Sequence, residues 1–266
     1  VNHWFHDIVS GIIHRRLLSV ASLPHNDLIL ECYHPAAKTS TPYLSCRYQD
    51  TKKQCPGGDL CTGACDNDPT LHDLRGLYSS FRPVLDERQR QILQLRKQRQ
   101  QWQQQRRESV NSSAPQGDVA DTACQDIFLD DGQLFSQLCA VTNVVKAGPR
   151  PGLFKSHINV GEGVLRVWRN WLDDMAVSDK AAQTGASSNQ ILWVDADQTV
   201  GVRFRVTPGE VETPPFRTRS ADCPPASYKL EYQEVLVRTE NLLMAVEQSE
   251  VQEDSMANTA VVIMSC

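Results

Sequence analysis

Phe5, Ile8, Val9, Ile12 and Ile13 recur at three- and four-residue steps, and Ser, Asp, His and Arg fill much of the intervening space. That spacing predicts an amphipathic helix at the start of the chain, with Asn2 as a cap. The period then shortens. Residues 27–33 and 43–49 read as two β-prone runs joined by a Pro- and Thr-containing turn. "LHDLRGLYSSF" predicts a brief helix, and "DIFLDDGQLFSQLCAVTNVVKAGPRPGLF" predicts a short strand, a helix over 132–140 and another strand before Gly148-Pro149. Gly161-Glu162-Gly163 reads as a turn between "HINV" and "VLRVWR". In "QILWVDADQTVGVRFRV" the apolar side chains of Val200, Val202, Phe204 and Val206 alternate with Gly201, Arg203 and Arg205, the period of a half-buried strand. "SYKLEYQEVLVRTENLLMAVEQSE" opens in strand period, and Leu242, Leu243 and Val246 then fit a helix face equally well. "AVVIM" closes the chain as a short strand.

Many short strands separated by turn signals, with few long helical patterns, predict a mainly β (α+β) fold. The expected architecture is an antiparallel β-sandwich with an N-terminal helix. Residues 1–26 form a helical linker segment and 27–266 the β-sandwich-like domain. Two stretches interrupt that domain. A small, polar, Gly/Pro-punctuated and Cys-rich loop spans about 50–70. A Gln/Arg-rich low-complexity run at about 86–122 has apolar residues (Ile92, Leu93, Leu95, Trp102) too sparse to hold a packed face, so it predicts a flexible, disordered insertion.

Composition narrows the function classes. The 266 residues suffice for one large domain or two small ones. A net charge of −5 gives no reason to expect nucleic acid or anionic lipid as partners. No apolar stretch reaches the roughly 20 residues that span a bilayer. Nine cysteines, with Cys32 and Cys139 inside apolar runs, suit a reducing compartment, and cytoplasm or nucleus is the expected location.

Several residue sets invite a chemical reading. Cys46, Cys55, Cys61 and Cys65 offer four thiols to a zinc ion, but their spacings of eight, five and three lack a paired C-x-x-C knuckle. His3, His6 and Asp7 share one helical neighbourhood, where two or three could touch one ion; exposed histidine near a helix end is more often simply solvated. Asp195 and Asp197 imitate paired metal-binding carboxylates, yet they fall in the turn of the predicted hairpin, where Asp is expected for its own backbone hydrogen bonding. No G-x-S-x-G, H-E-x-x-H, S-x-x-K or phosphate loop occurs. His34 and His157 with the cysteines allow a Cys/His pair without the spacing selecting one. The seven Lys/Arg between Arg88 and Arg107 surround Trp102, a pattern that touches RNA in other settings but here sits in a Gln-rich insert. Trp168, Trp171 and Trp193 are core residues or, if one is exposed, a partner anchor. No catalytic residue, cofactor or partner-binding residue is assigned.

The blocks "LILECYHPAAKTSTPYLSCRY", "LFSQLCAVTNVVKAGPRPGLF", "INVGEGVLRVWRNWL", "ILWVDADQTVGVRFRV" and "YKLEYQEVLVRTENLLMAVEQS" resemble, in this order, the region after the F-box in a filamentous-fungal F-box protein family. The resemblance covers most of the chain outside the Cys-rich loop and the Gln/Arg insertion. It implies a non-catalytic, substrate-recruiting domain of a cullin-RING ubiquitin ligase receptor. In that family an upstream F-box, opening on Leu-Pro-x-Glu, docks on a Skp-type adaptor and cullin. "VNHWFHDIVSGIIHRRLL" resembles the helix linking F-box to β domain, with no Leu-Pro-x-Glu run in front of it, so the F-box is expected upstream and no adaptor-binding residue is carried over. The target protein is unspecified. A stand-alone ligand- or glycan-binding β-sandwich is the alternative, and a Cys/His-dependent enzyme a third possibility.

Overall fold

The computed structural model describes residues 3–38, 41–55, 60–62, 71–85, 91, 95, 123–150, 153–182, 190–209, 223–255 and 261–262. In chain order these form α1 (His3–Val20), β1 (Asp27–Tyr33), a single 3-10 turn (Pro35–Ala37), β2 (Leu44–Gln54), β3 (Leu60–Thr62), α2 (Leu71–Arg75) and β4 (Leu77–Val84). There follow β5 (Cys124–Leu129), β6 (Phe135–Ala147), β7 (Leu153–Trp168), α3 (Arg169–Ala182), β8 (Leu192–Trp193), β9 (Val200–Pro208), β10 (Ala226–Arg238), α4 (Thr239–Ser255) and β11 (Val261–Val262).

The strands build one 11-stranded sheet in the order β11-β7-β6-β1-β2-β4-β10-β9-β8, with β3 added on β2 and β5 on β10. Every pairing is antiparallel. Alternation selects the core. Leu28, Leu30 and Cys32 of β1 share one buried cluster with Leu138, Ala140 and Val144 of β6, Leu165 and Val167 of β7, Val200 to Val206 of β9 and Leu230 to Val237 of β10. Two helices close the same cluster, α3 through Leu172, Met175 and Ala176, and α4 through Leu242 and Ala245. Helix α1 is held by Leu17, which packs with Leu74, Leu77, Ile13 and Leu243, and by an Arg16–Glu247 ion pair to α4.

The sheet bends until β7 faces β8 and β9. Gly161 and Gly163 make that approach possible. A Cβ on Gly161 would stand 2.8 Å from a Val200 methyl, and one on Gly163 would collide with the Val194 carbonyl oxygen. The result is the mainly antiparallel, sandwich-like α+β architecture that the alternation predicts.

Several local expectations are corrected. Gly161-Glu162-Gly163 is no turn: it lies inside β7, next to a bulge where Thr142 pairs Gly161 and Asn143 pairs Asn159. The helix expected over 132–140 is the start of β6, because Leu138 and Ala140 alternate with Gln137 and Cys139 and the strand pairs on both sides, with β1 and β7. In "LHDLRGLYSSF" the helix stops at Arg75 and the rest is β4. Part of the expected Cys-rich loop is sheet, since β2 continues to Gln54 and β3 returns at Leu60. Helix α3 begins directly after Trp168, inside a run that carries no start signal in the sequence. The expected insertion at 86–122 lies outside the described residues, except Gln91 and Leu95.

Candidate interaction surfaces

Among the described residues, two groups of exposed apolar side chains stand out. The first is on α1. Leu17 and Ser10 turn inward, and the helix period carries Trp4, Phe5, Ile8 and Ile12 to the other side. Trp4 is 68 % and Phe5 59 % exposed, and Ile8 and Ile12 are exposed as well. The four form a continuous stripe along the helix, because steps of three and four residues return to the same face. Beside α1, a groove of about 430 Å³ runs between α4 and β7, lined by Ile158, Met244, Val251, Glu247, Gln248 and Gln252. The Arg16–Glu247 pair joins groove and helix.

The second surface is the outer face of β6 and β7. Val167 and Leu165 point into the core, so Val164, Arg166 and Trp168 point out. Trp168 packs against Phe135 of the neighbouring strand, with ring centroids 5.1 Å apart and planes tilted by 49°, and the Arg166 guanidinium lies 5.9 Å from the centre of the Phe135 ring. Trp168 is thus the exposed tryptophan among the three. Trp171 packs against the core, and Trp193 lies 5.5 Å from the Tyr78 ring across Gly201.

A buried ionic network lies farther along the sheet. Glu234 of β10 is only 5 % exposed and accepts hydrogen bonds from Lys52 of β2, Ser80 of β4 and Arg203 of β9. Burial alone would raise its carboxyl pKa. The hydrogen bonds from Lys52 and Ser80 and the charges of Arg203 and Lys52 outweigh that, and hold it below the ordinary glutamate range. Four strands are clamped at one point. With cation and carboxylate already paired, the arrangement is structural.

The residues singled out by sequence fall as follows. Cys55 and Cys61 form a disulfide across the β2–β3 hairpin, with Cα atoms 6.3 Å apart. Cys46 lies near the start of β2, nine residues before Cys55 and opposite Leu28 of β1, with a thiol whose pKa is raised by burial, and Cys65 is outside the described residues. The described members of that set are therefore split between a disulfide and the sheet interior. His3, His6 and Asp7 are all exposed on α1, with His6 Nδ1 and Asp7 Oδ1 3.5 Å apart. Among the described residues no three His, Cys, Asp or Glu side chains gather as a metal site. Asp195 accepts the Thr199 amide at 2.9 Å and so serves its own turn, while the Asp197 carbonyl accepts from Arg238. His34 caps the 3-10 turn through Nδ1, which accepts from the Ala36 amide. His157 lends its amide to the Gln252 side chain. Sequence reasoning missed Phe135 and Glu234, whose partners are brought in by strand pairing.

No family model, curated protein or solved structure matches the chain. No helix among the described residues is long and apolar enough to cross a membrane.

Proposed function

We propose that this chain is a non-catalytic recruiting domain of an F-box-type cullin-RING ubiquitin ligase receptor. One observation carries the reading: the exposed stripe Trp4–Phe5–Ile8–Ile12 on a helix that is otherwise fixed to the body by Leu17 and Arg16. Large aromatic and aliphatic side chains lined up on one helix face mark a surface that another unit covers. In this reading an F-box unit joined to α1 seats on the stripe and carries the Skp-type adaptor and cullin. The sheet's outer face, with Trp168 and Phe135, then points toward the protein to be modified, in cytoplasm or nucleus. Tryptophan and arginine are the side chains that most often anchor such contacts.

The test is co-precipitation of the full-length gene product with a Skp-type adaptor and cullin from fungal cells. Both proteins are expected in the precipitate. Their absence would overturn the reading.

A second reading, a stand-alone ligand- or glycan-binding protein, is favoured by the groove between α4 and β7, which places Ile158, Met244 and Val251 beside Gln248 and Gln252. Saturable binding on a glycan array, with no adaptor in the precipitate, would select it.

A further inference from the structure

Strand β7 is paired along one edge by β6 over its length, but its other edge is mostly open. There β11 reaches only Leu153 and Phe154, and the Gln252 side chain takes the His157 amide at 2.9 Å. Beyond that point no strand among the described residues lies against it before α3 begins at Arg169. The direction of the main chain in this open window follows from one bond. The Arg169 amide donates to the Leu134 carbonyl at 2.8 Å, directly beyond the Phe135–Trp168 pair. Bonded and non-bonded pairs alternate in an antiparallel ladder. Gly163, Leu165 and Val167 therefore turn their N–H and C=O groups toward β6. Glu162, Val164, Arg166 and Trp168 turn theirs to the open edge.

The same four residues show their side chains on the outer face, Val164 being 53 % and Trp168 48 % exposed. An edge with no strand on it among the described residues is a template for another strand. Its charges say which strand fits. Glu162 and Arg166 have no ion-pair partner among the described residues, and four residues apart on one strand they stand about 13 Å from each other. If two copies meet antiparallel about a twofold axis through Val164, Glu162 of each stands directly opposite Arg166 of its partner. Glu162, Val164 and Arg166 then keep their main-chain groups in phase, and Trp168 falls opposite Val160, the extra residue of the β7 bulge. The open window ends beside Trp168, so this register uses it up to the start of α3.

We infer that the chain forms a twofold dimer by antiparallel β7–β7 pairing centred on Val164, which extends the sheet across two copies. The inference rests on the edge and its charges, independently of the ligase reading. Sedimentation equilibrium of the full chain, from low to high micromolar concentration, tests it. A monomer–dimer equilibrium is expected. Glu162→Arg and Arg166→Glu should each weaken it about tenfold, because each sets like charges opposite one another twice per dimer. The double variant Glu162→Arg/Arg166→Glu should restore the original constant. Val164→Pro removes an edge amide that β6 does not use, so it should abolish pairing with an unchanged circular dichroism spectrum. A chain that stays monomeric, or a double variant no better than the singles, overturns the pairing. In the latter case the copies meet through another surface.

Discussion

At the scale of single residues, Glu234 is the most consequential side chain in the sheet. It ties β2, β4, β9 and β10 through Lys52, Ser80 and Arg203. Glu234→Ala should cost about 3–5 kcal/mol in denaturant unfolding, because two cations lose their buried anion. The carboxyl pKa is lower folded than unfolded, so its contribution is complete above the ordinary glutamate range and disappears as pH falls through the folded value. Unfolding free energy measured against pH should therefore fall on that acid limb, and Glu234→Gln should flatten it. Cys32 makes a second case. Burial, offset in part by a hydrogen bond with Tyr232, pushes its thiol up to about 12. At pH 8 peptide mass spectrometry should find Cys32 unalkylated in the native chain and alkylated in denaturant. Labelling at the native rate of an exposed thiol would show that the core around β1 opens.

At the scale of elements, the bend of the sheet depends on small residues. Gly163→Ala should destabilise the chain by about 2–3 kcal/mol, read as a lower denaturation midpoint, since the Val194 carbonyl occupies the site of the new methyl. The α1 stripe should behave oppositely. Phe5→Asp and Ile8→Asp replace exposed side chains, so the unfolding free energy should change by less than about 0.5 kcal/mol, while limited proteolysis should cut faster between the proposed F-box unit and α1. Strand alternation in β9 and β10 was readable from the sequence because one face of each meets the core. The same reasoning failed at 132–140 and at Gly161–Gly163. In both places pairing across the sheet decides the conformation, and the glycines serve close packing where a turn is expected from their type alone. Helix α3 was illegible because Arg169 is fixed by the distant carbonyls of Asp130, Gln133 and Pro224.

At the scale of the whole molecule, the periodicity of the first helix exposed the candidate surface only halfway. It marked Phe5, Ile8, Val9, Ile12 and Ile13 as one face; the packing of Leu17 and Ile13 against α2 and β4 shows that Phe5, Ile8 and Ile12 lie on the outer side, while Ile13 turns inward. The outer aromatic pair needed the β6–β7 register to bring Phe135 beside Trp168, which lie far apart in the chain. The Cys55–Cys61 disulfide likewise replaces part of a four-thiol pattern that spacing alone leaves ambiguous. Among the described residues two exposed apolar surfaces thus stand out, one on helix α1 and one on the outer face of β6 and β7. The most direct test of the recruiting role is calorimetric titration of the purified full-length protein with a purified Skp-type adaptor. The account predicts saturable one-to-one binding. Absence of binding by the folded wild-type protein would contradict it.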